Sequence, residues 1–299
     1  MTLEQLRIFV AVAETQHVTK AAKSLNLAQS AASAAIAALE ARHGARLFNR
    51  VGRNIELTDA GRIFLTEAKA VLARVAAAEL TLAELGGLKR GNLLIQASQT
   101  VASYWLPRHL VVFKERFPGV EIDLRVGNSE QVAEAVRAGL AEIGFVEGDI
   151  DDGSLSVAPI ARDQLMLVVA PDHPWANLRR FDPRRLGESN WILRERGSGT
   201  RATFEAALPR FGLSPADLNV TLELPSNEAV RAAVEASSAA TVLSASVVVA
   251  GLEAGLLKRV PLELPERAFH MVRHRERHQS AATEALLQII RGKAPGRKA

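Results

Sequence analysis

From Ser24 to Leu39 the chain carries no charged side chain, although Lys20 and Lys23 lie just before this stretch and Arg42, Arg46, Arg50 and Arg53 just after it. Ala32, Ile36 and Leu39 recur at spacings of four and three, which predicts a helix over about 29–43 with those three residues facing inward. Gln29, Ser30, Ser33 and Ala34 then fall on its outer, N-terminal part, and Gly44 is a good stop. A shorter helix, about 18–25, precedes it, and Asn26-Leu27 breaks the two apart. Leu3, Leu6, Phe9, Val10 and Ala13 predict another amphipathic helix over 2–15. Two short helices on a tight turn, the second longer, make a helix-turn-helix.

In such a motif the start of the second helix enters the major groove of DNA. The small side chains here let the helix axis lie deep, so one face is core and the other is kept slim. Gln29 can pair with an adenine edge, and Ser30 and Ser33 can meet several bases. Lys20 and Lys23 on the preceding helix are candidates for phosphate contact. So are Arg50 and Arg53, which lie with Arg46 in ARLFNRVGRNIELT. Gly52 and the alternation of Ile55 and Leu57 read there as a hairpin wing. Taken singly, each of these cations is as easily a plain surface residue. The distribution of charge supports the set: residues 1–90 hold 12 Lys/Arg against 8 Asp/Glu, while the other 209 residues hold 25 of each. The whole formal excess of +4 therefore sits at the N-terminal end, as a basic module on a neutral body would.

Thr58 suits an N-cap, and a long helix is expected from it to about Leu85. Phe64, Ala68, Val71, Val75, Ala78, Leu82 and Leu85 keep a heptad seam along it, which suits pairing with a second copy. Packing of the same stripe on its own chain is the competing reading. Gly86, Gly87 and Gly91 mark a hinge. Beyond it strands and helices alternate in the manner of a parallel sheet with crossover helices, in two α/β blocks joined by crossing strands around a cleft.

Other classes find little support. The chain has no cysteine, which removes disulfides, thiolate metal sites and cysteine nucleophiles. The N-terminus lacks the build of a signal peptide, and the longest uncharged run, 236–252, is too short and polar to span a bilayer. A cytoplasmic location is expected, with no membrane partner. His270, His274 and His278 have helical spacing within a strand-like segment, so no metal site is expected. Gly197-Ser198-Gly199-Thr200 lacks the lysine of a P-loop and the elbow of a hydrolase. No catalytic residue is assigned and no cofactor is expected. An exported solute-binding protein would make residues 1–57 superfluous, and a cleft enzyme would have to consume its ligand.

HVTKAAKSLNLAQSAASAAIAALEARHGARLFNRVGRNIELTDAG resembles the DNA-binding signature of LysR-type transcriptional regulators. FPGVEIDL, RAG-AEIGFVEG and VVAPDHPWA match that family's effector domain, so the resemblance covers essentially the whole chain. It implies an α/β protein with an N-terminal winged helix-turn-helix (1–57), a linker and dimerisation helix (58–90), and a two-lobed effector domain of periplasmic-binding-protein type (91–299). Lobe I would take about 91–161 and 268–299, and lobe II about 162–267. The resemblance also implies homodimers or homotetramers on promoter DNA whose binding responds to a small effector in the interlobe cleft. SQTVASYWLP and EAVRAGLAEIGFVEG are similar to the branch with sulfur-metabolism and carbon-fixation regulators. Two departures matter. Ala28 stands where many members have a capping Ser or Thr, a loss worth about 1 kcal/mol. Ala34-Ala35 replaces longer side chains, so base readout must lean on Gln29, Ser30, Ser33 and the wing.

Ser98-Gln99-Thr100 and Ser198-Gly199-Thr200 each follow a strand and open a helix. Their hydroxyls, backbone N–H groups and positive helix ends suit a carboxylate or an inorganic oxyanion. Asn128-Ser129, Glu147 and Ser226-Asn227 end or follow other strands and are expected in the same cleft. Plain helix capping is the alternative use of such Ser and Thr residues. Glu147 sits awkwardly in this set, because a carboxylate repels an anion unless it is protonated or bridged. The DNA assignments make a prediction: Arg53→Ala should weaken all DNA binding and flatten its salt dependence, whereas Gln29→Ala should chiefly relax sequence preference. Binding titrations over a range of salt on specific and scrambled duplexes separate the two.

Overall fold

In the computed structural model, residues 1–51, 54–84 and 91–292 are described. They form a helical unit with a small wing, and an α/β unit from Gly91 onward.

The helical unit starts with α1 (Leu3–Thr15), capped reciprocally by Thr2 and Gln5. It continues with α2 (Val18–Ser24) and α3 (Gln29–His43). Asn26 takes a left-handed conformation in the turn between them. Ala28 precedes α3 without a side-chain cap, so the missing cap is real. Ala32, Ile36 and Leu39 face the core as their spacing requires. β1 (Phe48–Val51) and β2 (Asn54–Leu57) pair antiparallel as the wing. Glu40 Oε1 accepts the backbone N–H groups of Leu47 (2.7 Å) and Phe48 (3.1 Å), tying the wing to α3.

α4 (Asp59–Glu84) leaves the wing through Thr58, whose Oγ1 accepts from Gly61 N (2.9 Å) and donates to Arg46 O (2.7 Å). At Gly61 the helix crosses the wing so closely that a Cβ would lie 2.1 Å from Leu47 O. The first part of the heptad seam packs within the chain's own core, which corrects its assignment to dimerisation along its whole length. The Phe64 ring lies 4.8 Å from that of Phe9, and Ala68 is fully buried in the same core. These two residues therefore pack on their own chain. The first turns of α4 lie along α1, and a seven-residue repeat cannot say which partner it meets. Val71 is 41 % exposed and Val75 half-buried, so they remain available. The side chain of Leu82, like Leu85, lies outside the described residues.

The α/β unit has two lobes. In lobe I the sheet runs β4 (Val120–Gly127), β3 (Gly91–Ser98), β5 (Ile143–Glu147), with these three parallel. A single π-helical turn, Val101–Trp105, leads into α5 (Pro107–Arg116), and α6 (Ser129–Ala138) covers the other face. The helical segment after β3 is thus in two parts, with Pro107 starting the second. In lobe II, β7 (Asn190–Arg194) lies between β8 (Asn219–Leu224) and β9 (Ala240–Ser244). α7 (Gly199–Ala207) packs on one face, and α8 (Asn227–Glu235) and α9 (Ala245–Glu253) on the other. The short β10 (Lys258–Arg259) edges β6.

Two long strands join the lobes: β6 (Leu155–Val169) and β11 (Glu266–His274), the latter followed by α10 (Ala281–Ile290). β11 is antiparallel to both β5 and β6, so the sheet is mixed and not the parallel sheet expected. The expected lobe borders at 161/162 and 267/268 fall inside these strands. Separate aromatic cores fill the lobes, Trp105, Phe113, Phe145 and Phe269 in one and Trp175, Trp191 and Phe204 in the other.

Two substitutions test the helical unit. Phe9→Ala should cost about 3–5 kcal/mol in chemical denaturation of the full chain. Gly61→Ala should cost about 1–3 kcal/mol, although it adds only a methyl group, because Leu47 backbone stands in its way.

Candidate functional site

The C-terminal ends of β3 and β5 and the starts of α6, α7 and α8 meet between the lobes of the α/β unit. Ser98, Thr100, Asn128, Ser129, Glu147, Ser198 and Thr200 are all buried there, while Gln99 and Ser226 are half-buried. Gly199 lets α7 touch lobe I: a Cβ on it would lie 2.3 Å from Glu147 O and 2.6 Å from Ser129 Oγ. Direct hydrogen bonds bridge the lobes. Gln99 Oε1 accepts from Asn227 N (2.6 Å), and Asn227 Nδ2 donates to Thr100 Oγ1 (3.0 Å). On the other side Asn128 Nδ2 donates to Glu195 Oε1 (3.3 Å), and Glu130 N donates to Gly197 O (3.3 Å). A cavity of about 710 Å³ opens beside this contact, with Ser129, Glu147, Gly199, Thr203, Arg267 and His270 in its wall.

Three buried charges organise the site. Arg267 and Asp163 face each other across β11 and β6, and Arg267 Nε donates to Asp163 Oδ2 (2.7 Å). Arg267 Nη1 donates to Thr200 Oγ1 (3.1 Å). Its Nη2 lies 2.6 Å from Asp163 Oδ2 without the alignment of a hydrogen bond, and 4.0 Å from Glu147 Oε1. Glu147 accepts from Ser129 Oγ (3.2 Å). Burial by itself would raise the Glu147 pKa. The charge of Arg267, the hydroxyls of Thr100 and Ser98, and the charge of Arg194 outweigh it, so the group is held below its ordinary value and stays ionised. Ser98 Oγ is near enough to favour the carboxylate but is not aligned to bond it.

The two loops singled out in the sequence are thus brought together, and the Ser226-Asn227 pair is divided between two uses. Ser226 caps α8, accepting from Ala229 N (2.9 Å), while Asn227 enters the cleft. Asn227 Oδ1 also accepts from Arg194 Nη1 (2.6 Å). Arg267 and Asp163 were missed. The signal was present: Arg267 shares the period-two face of buried Phe269 and Met271, and Asp163 that of Leu165 and Leu167. A charge on the apolar face of an alternating strand needs a buried partner. His270 and His274 lie on strand β11, as their alternation required, with His270 Nδ1 2.9 Å from Gly148 O. Among the described residues no group of three or more His, Asp or Glu side chains could hold a metal ion.

On the helical unit, Gln29 and Ser30 at the start of α3 are exposed and Ser33 is half-buried. Gln29 Nε2 donates to Ser33 Oγ (3.1 Å). Lys20 and Lys23 are exposed on α2. Arg50 lies on β1, but its side chain and all of Arg53 fall outside the described residues.

Two family profiles account for both units. The one described as "Bacterial regulatory helix-turn-helix protein, lysR family" matches residues 3–62, and "LysR substrate binding domain" matches residues 86–295. The chain belongs to the LysR family of bacterial transcriptional regulators. It is a DNA-binding regulator with an effector-binding domain, in a family of regulators and not of enzymes. A relative named as a probable RuBisCO transcriptional regulator, from Cyanidioschyzon merolae, is 32 % identical over 96 % of both chains. That places a carbon-fixation regulator among its kin. Full-length CbnR in complex with its target DNA shares the fold, with a TM-score of 0.73 at 22 % identity over 98 % of this chain and 100 % of that one. The regulatory domain of Synechocystis PCC6803 CcmR in complex with 2-PG matches with a TM-score of 0.62 at 25 % identity, covering 68 % of this chain and 97 % of that one.

The ionised Glu147 yields a pH prediction. Its pKa is lowered by folding, so its contribution to stability is present above the ordinary carboxylate range and is lost as pH falls through the lowered value. Denaturation of the full chain at decreasing pH should show this loss, and Glu147→Gln should flatten it. An unchanged slope in the variant would mean that folding does not shift the pKa of this group.

Proposed function

We propose that this regulator reads promoter DNA with Gln29, Ser30 and Ser33 and grips phosphates with Lys20, Lys23, Arg50 and Arg53. A small anionic effector held between the lobes then alters that binding. The observation that carries the effector reading is the convergence of buried donors, the hydroxyls of Ser98, Thr100, Ser129 and Thr200 beside the Arg267 guanidinium, at the start of α7. Helix N-termini and hydroxyl donors suit an oxyanion. The 2-PG held by the CcmR regulatory domain supports the same chemistry here.

The interlobe bonds of Gln99, Asn128 and Asn227 supply the switch. A ligand that engages Thr100 or Asn128 competes for groups that hold the lobes in this arrangement, so it favours another one. Its power to do so equals its difference in affinity for the two. We assign dimerisation to the part of the α4 seam that carries Val71 and Val75, and a homotetramer as the working assembly. Among the described residues no helix is long and apolar enough to cross a membrane, and a regulator of promoters acts in the cytoplasm. The domain limits proposed are 1–57, 58–90 and 91–299.

The reading is tested by a footprint on the DNA upstream of the protein's own gene, with and without 2-phosphoglycolate as a probe anion. Protection that changes in length or position with the anion is expected. An unchanged footprint at saturating anion, shown bound by calorimetry, would remove the coupling. Thr100→Ala should weaken anion binding about tenfold, as expected for one lost hydrogen bond to a charged ligand.

A further inference from the structure

Glu147 is a buried carboxylate of the cleft with no cation at hydrogen-bonding distance. Arg267 is committed to Asp163, through Nε at 2.7 Å, and to Thr200. Arg194 is committed to Glu195, through Nε at 2.8 Å and Nη2 at 2.9 Å, and to Asn227. Asp163 is completed by Ser244 Oγ at 2.7 Å. That leaves Glu147, 3 % exposed, whose nearest cation is the Arg267 Nη2 4.0 Å away and whose hydrogen bond comes from the neutral Ser129 hydroxyl. Yet Glu147 stands among the hydroxyls that the proposed anion site depends on, and it forms part of the cavity wall.

An ionised carboxylate only accepts hydrogen bonds. A bound anion with bare oxygens toward Glu147 would set two like charges together in a poorly hydrated site, which is costly. An anion that presents an O–H instead adds a donor to the one hydroxyl, Ser129 Oγ, that Glu147 accepts from. We propose that Glu147 is the specificity-determining residue of the effector cleft, admitting anions that carry a hydroxyl or an acidic proton and rejecting those that carry none. This rests on the anion reading above and narrows the chemical class of the effector to proton-bearing oxyanions and hydroxy-substituted acids. Discrimination of this kind can be large, because the wrong ligand leaves a buried polar group unpaired.

Inorganic phosphate and sulfate are suitable probes. At mildly alkaline pH both are tetrahedral dianions, and only phosphate retains an O–H. The experiment is calorimetric titration of the full-length protein and of Glu147→Gln with each ion. The wild type should prefer phosphate by about tenfold or more. Glu147→Gln keeps the shape and can donate through its amide, so it should gain affinity for sulfate and bring the two ions to within about threefold. Equal binding of the two ions by the wild type overturns the filter, whether or not the variant folds. A preference for phosphate that survives in Glu147→Gln also overturns it. Failure of either ion to bind either protein would take the anion reading down together with the filter, whereas equal binding removes the filter alone.

Discussion

The buried pair of Arg267 and Asp163 is the constraint around which the α/β unit is arranged. It joins the two strands that pass between the lobes, at directly opposed positions. Isolated, either charge would be untenable at such burial. Together, and completed by Thr200 and Ser244, they bring α7 and the end of β9 to the crossing strands. Glu147 stays charged because Arg267 is near, and Gly199 must be glycine because the start of α7 is drawn against Glu147 and Ser129.

The bonds that hold the lobes together are fewer and weaker than those that build each lobe. Aromatic cores fill each lobe, whereas across the cleft Gln99, Thr100, Tyr104, Asn128 and Glu130 of one lobe share hydrogen bonds with Glu195, Arg196, Gly197, Asn227 and Glu228 of the other. Each is worth on the order of 1 kcal/mol net. A ligand making two or three comparable bonds competes on equal terms with them and leaves the cores untouched. A small molecule can therefore move the lobes, and the same donors serve ligand binding and lobe closure.

In the helical unit a short run of sequence builds a rigid support for α3. Phe9 stacks on Phe48 of the wing and Phe64 of α4, while Glu40 and Thr58 tie the backbone of the wing in place. α3 is thereby positioned by everything except its own outer face, which is left to small and amide side chains. The price of this economy is visible in α4, whose first turns are consumed by the unit's own core and leave a shorter stretch of seam for a second chain.

Elements whose residues interact with near neighbours in the chain were determined by the sequence alone. The spacing of Ala32, Ile36 and Leu39, the stop at Gly44, the alternation of the wing and the strands, and the helix starts at Ser98–Thr100 and Ser198–Thr200 are all local patterns. Local periodicity reports which face is buried, but not against what. Only the tertiary structure decided that Phe64 and Ala68 turn to Phe9 and that β11 runs antiparallel between β5 and β6. It also decided that Ser226 spends its hydroxyl on a cap while Asn227 crosses to Thr100. Arg267 meets Asp163 across 104 residues of chain. A charge on an apolar strand face announces that it needs a partner, but which one depends on strands that no local pattern can pair.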